Sequence, residues 1–183
     1  MNKHLPPVSA IIVDDIADMR QYLRTQIQAL FPQIEILGEA ADVPQAVALV
    51  RNTRPQIIFL DVEMPQYSGF ELLPLIDLQG LGCHIIFTTA HSHFAAEAFA
   101  LAAVDFLLKP IKPQELARAV NRTIERINER EQIAAYQILQ QNASTADPAE
   151  RTLLLKQSEG ARLIRLREII YLQADGPYTQ FFL

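Results

Sequence analysis

The chain has 183 residues, half of them hydrophobic and a fifth charged, a globular composition that excludes an intrinsically disordered or low-complexity protein. One cysteine, Cys83, excludes a disulfide framework, and no apolar run approaches the roughly 18 residues of a membrane span. The net charge of −5 is uneven: residues 151–183 hold five Arg/Lys against three Asp/Glu, a net of +2, which leaves −7 for residues 1–150.

The N-terminal MNKHLPP has no apolar stretch, so no signal peptide is expected. With the lone cysteine read as a small buried hydrophobe, the expected setting is a reducing cytoplasm without a membrane partner. The first 112 residues then alternate strand and helix signals five times. Strands are predicted at about 8–13, 34–40, 56–61, 84–89 and 104–108. Helices are predicted at about 17–31, 43–53, 69–78, 92–102 and from 113 onward. Short apolar runs rich in β-branched residues read as strands buried on both faces. Repeated strand–helix units imply right-handed crossovers and a doubly wound, five-stranded parallel sheet. The second run, Ile34 to Glu39, alternates polar and apolar residues and reads as an edge strand.

Pro113 suits a first helical turn, where its missing N–H costs nothing. Leu116, Val120, Ile124, Ile127, Ala134 and Ile138 then recur at near-heptad spacing, with Glu131 interrupting. Such a seam pairs with a second copy of the chain or packs on its own domain. Residues 140–150, QQNASTADPAE, read as a linker. Beyond it, 152–156, 161–166, 168–173 and 178–183 read as short strands, with turns at Ser158-Glu159-Gly160 and Asp175-Gly176-Pro177. About thirty residues cannot bury a proper core, so this module reads as the opening of a larger β domain.

The chemistry collects at strand ends, where open parallel sheets place function. Ile11-Ile12-Val13 leads to Asp14-Asp15, Ile57 to Leu60 ends in Asp61, Ile85 to Phe87 leads to Thr88-Thr89, and Val104 to Leu108 leads to Lys109-Pro110. Adjacent carboxylates favour a cation, and a pair with waters and a phosphate is what Mg2+ prefers. The bland alternative is that an aspartate merely caps the helix near Ala17. Asp61 is the candidate nucleophile, because carboxylates form aspartyl-phosphates when metal ions neutralise the phosphoryl oxygens. Its loop, VEMPQYSG, would turn backbone carbonyls toward that metal. Lys109 can reach Asp61 or a phosphoryl oxygen, and Thr89 can donate its hydroxyl to one. Proline leaves a cis Lys109-Pro110 bond affordable. His91 and His93 read as solvated loop residues.

Together, IIVDD, FLDVEMPQYSG, IIFTTA and DFLLKP resemble the receiver domain of bacterial two-component response regulators over about residues 1–125. The resemblance implies a flavodoxin-like fold with Asp61 as phosphoacceptor and Asp14 and Asp15 as the acidic pocket. Asp15 would be a direct Mg2+ ligand, and the Glu63 backbone carbonyl a further one. It also implies Thr89 as switch hydroxyl, Lys109 as the site lysine, and Phe106 at the aromatic switch position, where many receivers carry tyrosine. A sensor histidine kinase is the implied partner. A homodimer through helix 92–102, strand 104–108 and the helix from 113 is expected on phosphorylation. FTTAHSHFAAEAFALAAVDFLLKPI and IIYLQADGPYT are similar to receivers joined to LytTR-type DNA-binding domains. The implied organisation is a receiver (1–125), a helical extension and linker (126–150) and the incomplete start of a LytTR domain (151–183). The implied output is transcription regulation, with DNA binding by a full-length parent and weak or no binding by this chain. Such a protein is a phosphoacceptor, not a dedicated enzyme.

Other readings fit less well. A haloacid-dehalogenase-like phosphatase needs a carboxylate two residues after its nucleophile and a cap region, but Glu63 is a longer side chain and no cap is visible. A flavodoxin-like cofactor binder needs a Gly/Ser/Thr-rich phosphate loop where Asp14-Asp15-Ile16-Ala17-Asp18 stands. A stand-alone interaction module without DNA binding is the remaining alternative.

Overall fold

The computed structural model describes residues 8–94, 105–145, 147–157, 160–175 and 178–182. The chain divides between Ile127 and Asn128 into two compact units.

The first unit is built on five parallel strands: β1 (Val8–Val13), β2 (Ile34–Ala40), β3 (Ile57–Asp61), β4 (His84–Thr89) and β5 (Asp105–Leu108). Their order is β2-β1-β3-β4-β5, which puts β2 at an edge as its alternating sequence implies. Successive strand residues point to opposite faces, so the continuous apolar runs feed two cores. Ile12, Phe59, Ile86 and Leu107 pack on one side with Leu23 and Ile27 of α1 (Ala17–Leu30). Ile11, Ile58, Leu60 and Phe87 pack on the other with Val43, Ala46 and Val50 of α2 (Val43–Thr53). Each such fully buried side chain contributes on the order of 1.5–3 kcal/mol.

Helix α2 begins where the Asp42 side chain accepts the Gln45 N–H, and it ends at Arg54 in the left-handed region (φ 46°). The expected helix 69–78 is corrected by the structure. A 3-10 helix spans Gly69–Leu75, followed by one α-turn, Leu78–Leu81. Pro74 has no N–H for an α-helical bond, so the segment keeps the tighter form. Ser68 and Glu71 close a reciprocal capping box at its start. Of the expected helix 92–102, Ser92–Phe94 form a 3-10 turn, and the remainder lies outside the described residues, as does Val104.

A long helix covers Pro113–Ser144. Leu116, Val120 and Ile127 are buried in the core of the first unit and Ile124 packs against it. The first four seam positions are therefore spent within the domain. The helix also takes in the first five residues of the expected linker and ends at Ser144. No helix among the described residues is long and apolar enough to cross a membrane.

The second unit contains two antiparallel hairpins. Strand β6 (Thr152–Gln157) pairs with β7 (Gly160–Arg165), and β8 (Tyr171–Asp175) pairs with β9 (Tyr178–Phe182). The third strand starts later than expected because Leu166–Glu168 form a 3-10 turn. The Asn142 side chain donates to the Thr152 carbonyl (2.7 Å) and accepts its N–H (2.8 Å), joining the helix end to β6. Tyr171 stacks on Phe182 with ring centroids 4.1 Å apart.

Cys83 is buried just before β4, and burial pushes its thiol up to about 12. Thiolate is the reactive form, so the native protein is expected to resist iodoacetamide at pH 8 and to react promptly in denaturing urea. Rapid labelling of the native chain would contradict this packing.

Candidate functional site: an acidic cluster closed by a lysine

The parallel sheet brings four strand ends to one edge. Asp14 follows β1, Asp61 closes β3, Thr89 closes β4 and Lys109 follows β5. Asp14 and Asp61 are both buried, yet neither is left as a bare charge. The Lys109 ammonium donates to Asp14 Oδ2 and Asp61 Oδ2, each at 2.7 Å. The free carboxylate oxygens are also used: Asp14 Oδ1 accepts the Ile16 N–H (2.9 Å) and Asp61 Oδ1 accepts the Glu63 N–H (3.1 Å).

The electrostatics follow from this geometry. Burial is the largest influence on Asp61 and raises its carboxyl above the usual value, against the opposing pull of Lys109 and the Glu63 N–H. Burial alone would lower Lys109, but the hydrogen bonds and charges of Asp14 and Asp61 outweigh it, and the ammonium is held above its ordinary value. Asp15 is half-buried, and its carboxylate has no partner among the described residues. One oxygen each from Asp14, Asp15 and Asp61 lies within 4.8 Å of the others. Three hard oxygen donors this close suit a hard divalent cation.

Glycine is required behind this cluster. A Cβ on Gly69 would sit 2.1 Å from the Asp61 carbonyl oxygen, and the Gly69 N–H donates to Val62 O at 2.9 Å. Only a residue without a side chain lets the Val62–Ser68 loop fold back onto the end of β3.

The structure does not bring Thr89 and Phe106 into the cluster. The Thr89 hydroxyl donates to Glu63 Oε2 (2.8 Å) instead. Phe106 is half-buried among the side chains of the α2-side core. His91 is an exposed loop residue, as expected, and its Nδ1 lies 2.6 Å from the same Glu63 oxygen. Those two partners, His91 first, hold the Glu63 carboxyl below its usual range. In the sequence the Glu63 side chain was weighed only against a phosphatase acid/base, and its contacts with Thr89 and His91 were missed. Arg20 and Glu39, which support the Asp14-Asp15 backbone, were missed as well.

A sheet of this order, with buried carboxylates at its carboxyl edge, defines a flavodoxin-like receiver fold. The chain belongs to the response regulator receiver domain family, whose model matches residues 10–121. It is similar to the transcriptional regulatory protein BtsR of Salmonella typhi, 37% identical over 115 residues, which cover 63% of this chain and 47% of that protein. It is also similar to an uncharacterised response regulatory protein of Vibrio cholerae, 28% identical over 182 residues, 95% of this chain and 69% of the relative. The chain spans about half the length of several curated relatives it matches. Among solved structures, the response regulator domain of Thermotoga maritima CheB superposes with a TM-score of 0.56 at 28% identity, covering 67% of this chain and 96% of that one.

Lys109→Ala would leave two buried carboxylates facing each other. With chelator present at pH 7 it is expected to cost about 3–5 kcal/mol of stability, the usual range for removing one partner of a buried pair. Asp61 already titrates above its unfolded value, and losing the ammonium raises it further. A raised carboxyl takes its proton in the folded state first, so the deficit should shrink as pH falls toward 5. Urea unfolding at both pH values checks this, and an equal deficit at each would refute it.

Proposed function

We propose that this chain is the receiver portion of a two-component response regulator that accepts a phosphoryl group on Asp61 from a sensor histidine kinase. The observation that carries the reading is the Lys109 ammonium 2.7 Å from both Asp14 and Asp61, with Asp15 open beside them. Asp14, Asp15, Asp61 and the Glu63 carbonyl would hold Mg2+. When bound, that ion supplies charge neutralisation for the phosphoryl oxygens. An Asp61 carboxylate oxygen attacks phosphorus as the bond to the donor's leaving group breaks, and the product is an acyl phosphate. Lys109 stays near Asp61 and offers its ammonium to an incoming phosphoryl oxygen.

Thr89 and Phe106 form the switch in this reading. The Thr89 hydroxyl leaves Glu63 for a phosphoryl oxygen, and Phe106 turns inward behind it, which shifts an existing equilibrium. Phosphorylation then promotes a homodimer through the 92–102/104–108/113 face, most of whose first helix lies outside the described residues. Residues 151–183 are the start of a LytTR-type DNA-binding output, following a helical extension and linker over 126–150. Support comes from the IIYLQADGPYT pattern, the antiparallel hairpins of the second unit, and the transcriptional role carried in the name of one relative.

Two measurements test this. A small acyl-phosphate donor should label the chain only with Mg2+ present, and Asp61→Asn should abolish the label. Undiminished labelling of that variant, or labelling in chelator, would remove Asp61 from the role. Residues 151–183 bring a net of only +2, and DNA affinity rests largely on phosphate contacts. Residues 1–183 should therefore bind DNA weakly at physiological salt, even when phosphorylated. Sequence-specific nanomolar binding in an anisotropy titration would place the recognition surface within this chain.

A further inference from the structure

The turn that carries Asp14 and Asp15 is tied through its N–H groups, Asp14 N–H to the Ala40 carbonyl (3.1 Å) and Ile16 N–H to Asp14 Oδ1 (2.9 Å), which leaves the Asp14 and Asp15 carbonyls to be held from elsewhere. Ile16 is the N-cap of α1 and offers no capping side chain. Support comes from one turn further along the helix. Arg20 Nη1 donates to the Asp14 carbonyl (2.6 Å) and to the Asp15 carbonyl (3.3 Å). The other side of the same guanidinium is held in turn: Nε donates to Glu39 Oε2 at 3.2 Å. Glu39, near the end of β2, is steadied on its second oxygen by Arg24 Nε at 2.6 Å. The three side chains are only 18–29% exposed, so this ion network is partly shielded from solvent.

We infer that Arg20, fixed by Glu39, is a positioning residue for the acidic pocket. By gripping two consecutive carbonyls it sets the directions in which the Asp14 and Asp15 side chains leave the backbone. The inference rests on the reading that Asp14, Asp15 and Asp61 hold Mg2+. In the planar guanidinium Nη1 reaches both carbonyls while Nε is held by Glu39, which fixes the angle of the Nη1 donors, whereas an ammonium has a single nitrogen for all three partners. Partners outside the immediate ligand set commonly change metal affinity 10- to 100-fold when removed.

Charge and geometry predict opposite signs here, which makes the test decisive. Removing a cation near a cation site, if charge were all that mattered, would tighten Mg2+ binding. Loosening the carbonyl grip would weaken it. Mg2+ affinity is measured by calorimetry on the full chain, with metal-free thermal stability measured beside it. Arg20→Lys keeps the charge and loses the fork, and is expected to weaken Mg2+ about 10-fold. Arg20→Met should weaken it at least as much despite losing a positive charge. Glu39→Gln should act in the same direction, and adding it to Arg20→Met should cause no further loss, because Glu39 works through Arg20. Arg24→Met, which leaves both carbonyl contacts in place, should change affinity less than threefold. Wild-type affinity in Arg20→Lys, tighter binding in Arg20→Met, or additive losses in the double variant would overturn the inference. Absence of Mg2+ binding by the wild-type chain would overturn the metal reading itself, and the inference with it.

Discussion

The structure depends on one ammonium group. Two carboxylates buried at neighbouring strand ends repel each other, and each alone would pay several kcal/mol for leaving water. Lys109 meets both at 2.7 Å, and the remaining oxygen of each takes a backbone N–H. The result is a fully hydrogen-bonded buried pair of charges with one compensating cation. This arrangement is net negative, and burial still raises Asp61. A site in that condition favours a further cation and keeps a carboxylate oxygen close to a positive group.

The surrounding chain is organised to hold that compromise in place. The sheet register sets Val13 beside Leu60 and Asp61 beside Thr88, so the strand ends finish level with one another. Gly69 lets the following loop close against the Asp61 carbonyl. Thr88 is buried with a hydroxyl that finds no hydrogen-bond partner among the described residues, a cost carried in the strand next to Asp61. At the rim, Glu63 gathers the Thr89 hydroxyl and the His91 ring on one oxygen. Glu63 is half-buried, and its contacts with His91 and Thr89 outweigh desolvation, whereas burial prevails at Asp61.

How much of this the sequence disclosed depended on the range of the signal. The five strands were legible because each is a local apolar run, and the parallel order followed from helices between them. Asp14, Asp15, Asp61 and Lys109 were legible because each directly ends a run, so the fold alone brings them together. The 3-10 segment after Gly69 was misread as a helix although Pro74 stood in it, because apolar spacing outweighed the missing N–H. Residues that act at a distance left no local mark. Arg20 belongs to no run or motif that marked it in the sequence, and it meets the carbonyls of Asp14 and Asp15 only in the folded chain. Likewise His91 and Glu63 are 28 positions apart and meet only because β3 and β4 are neighbours. The seam on the long helix was legible as apolar, but periodicity could not say what it packs on. Leu116, Val120 and Ile127 are taken by the sheet's own core.

The choice of lysine over arginine at position 109 follows from the geometry. An ammonium is a compact charge with three donors, and here two of them are committed to Asp14 and Asp61. Neither carboxylate uses the third. A guanidinium would engage a carboxylate through a rigid two-point fork and would fill the space between Asp14 and Asp61 with a planar group. Asp15, which has no partner among the described residues, would then face an occupied pocket. A single flexible ammonium balances the buried charges from one side and leaves the opposite side of the cluster open. Arginine serves instead at position 20, where two carbonyls and a carboxylate must be held at fixed angles and no ligand has to enter.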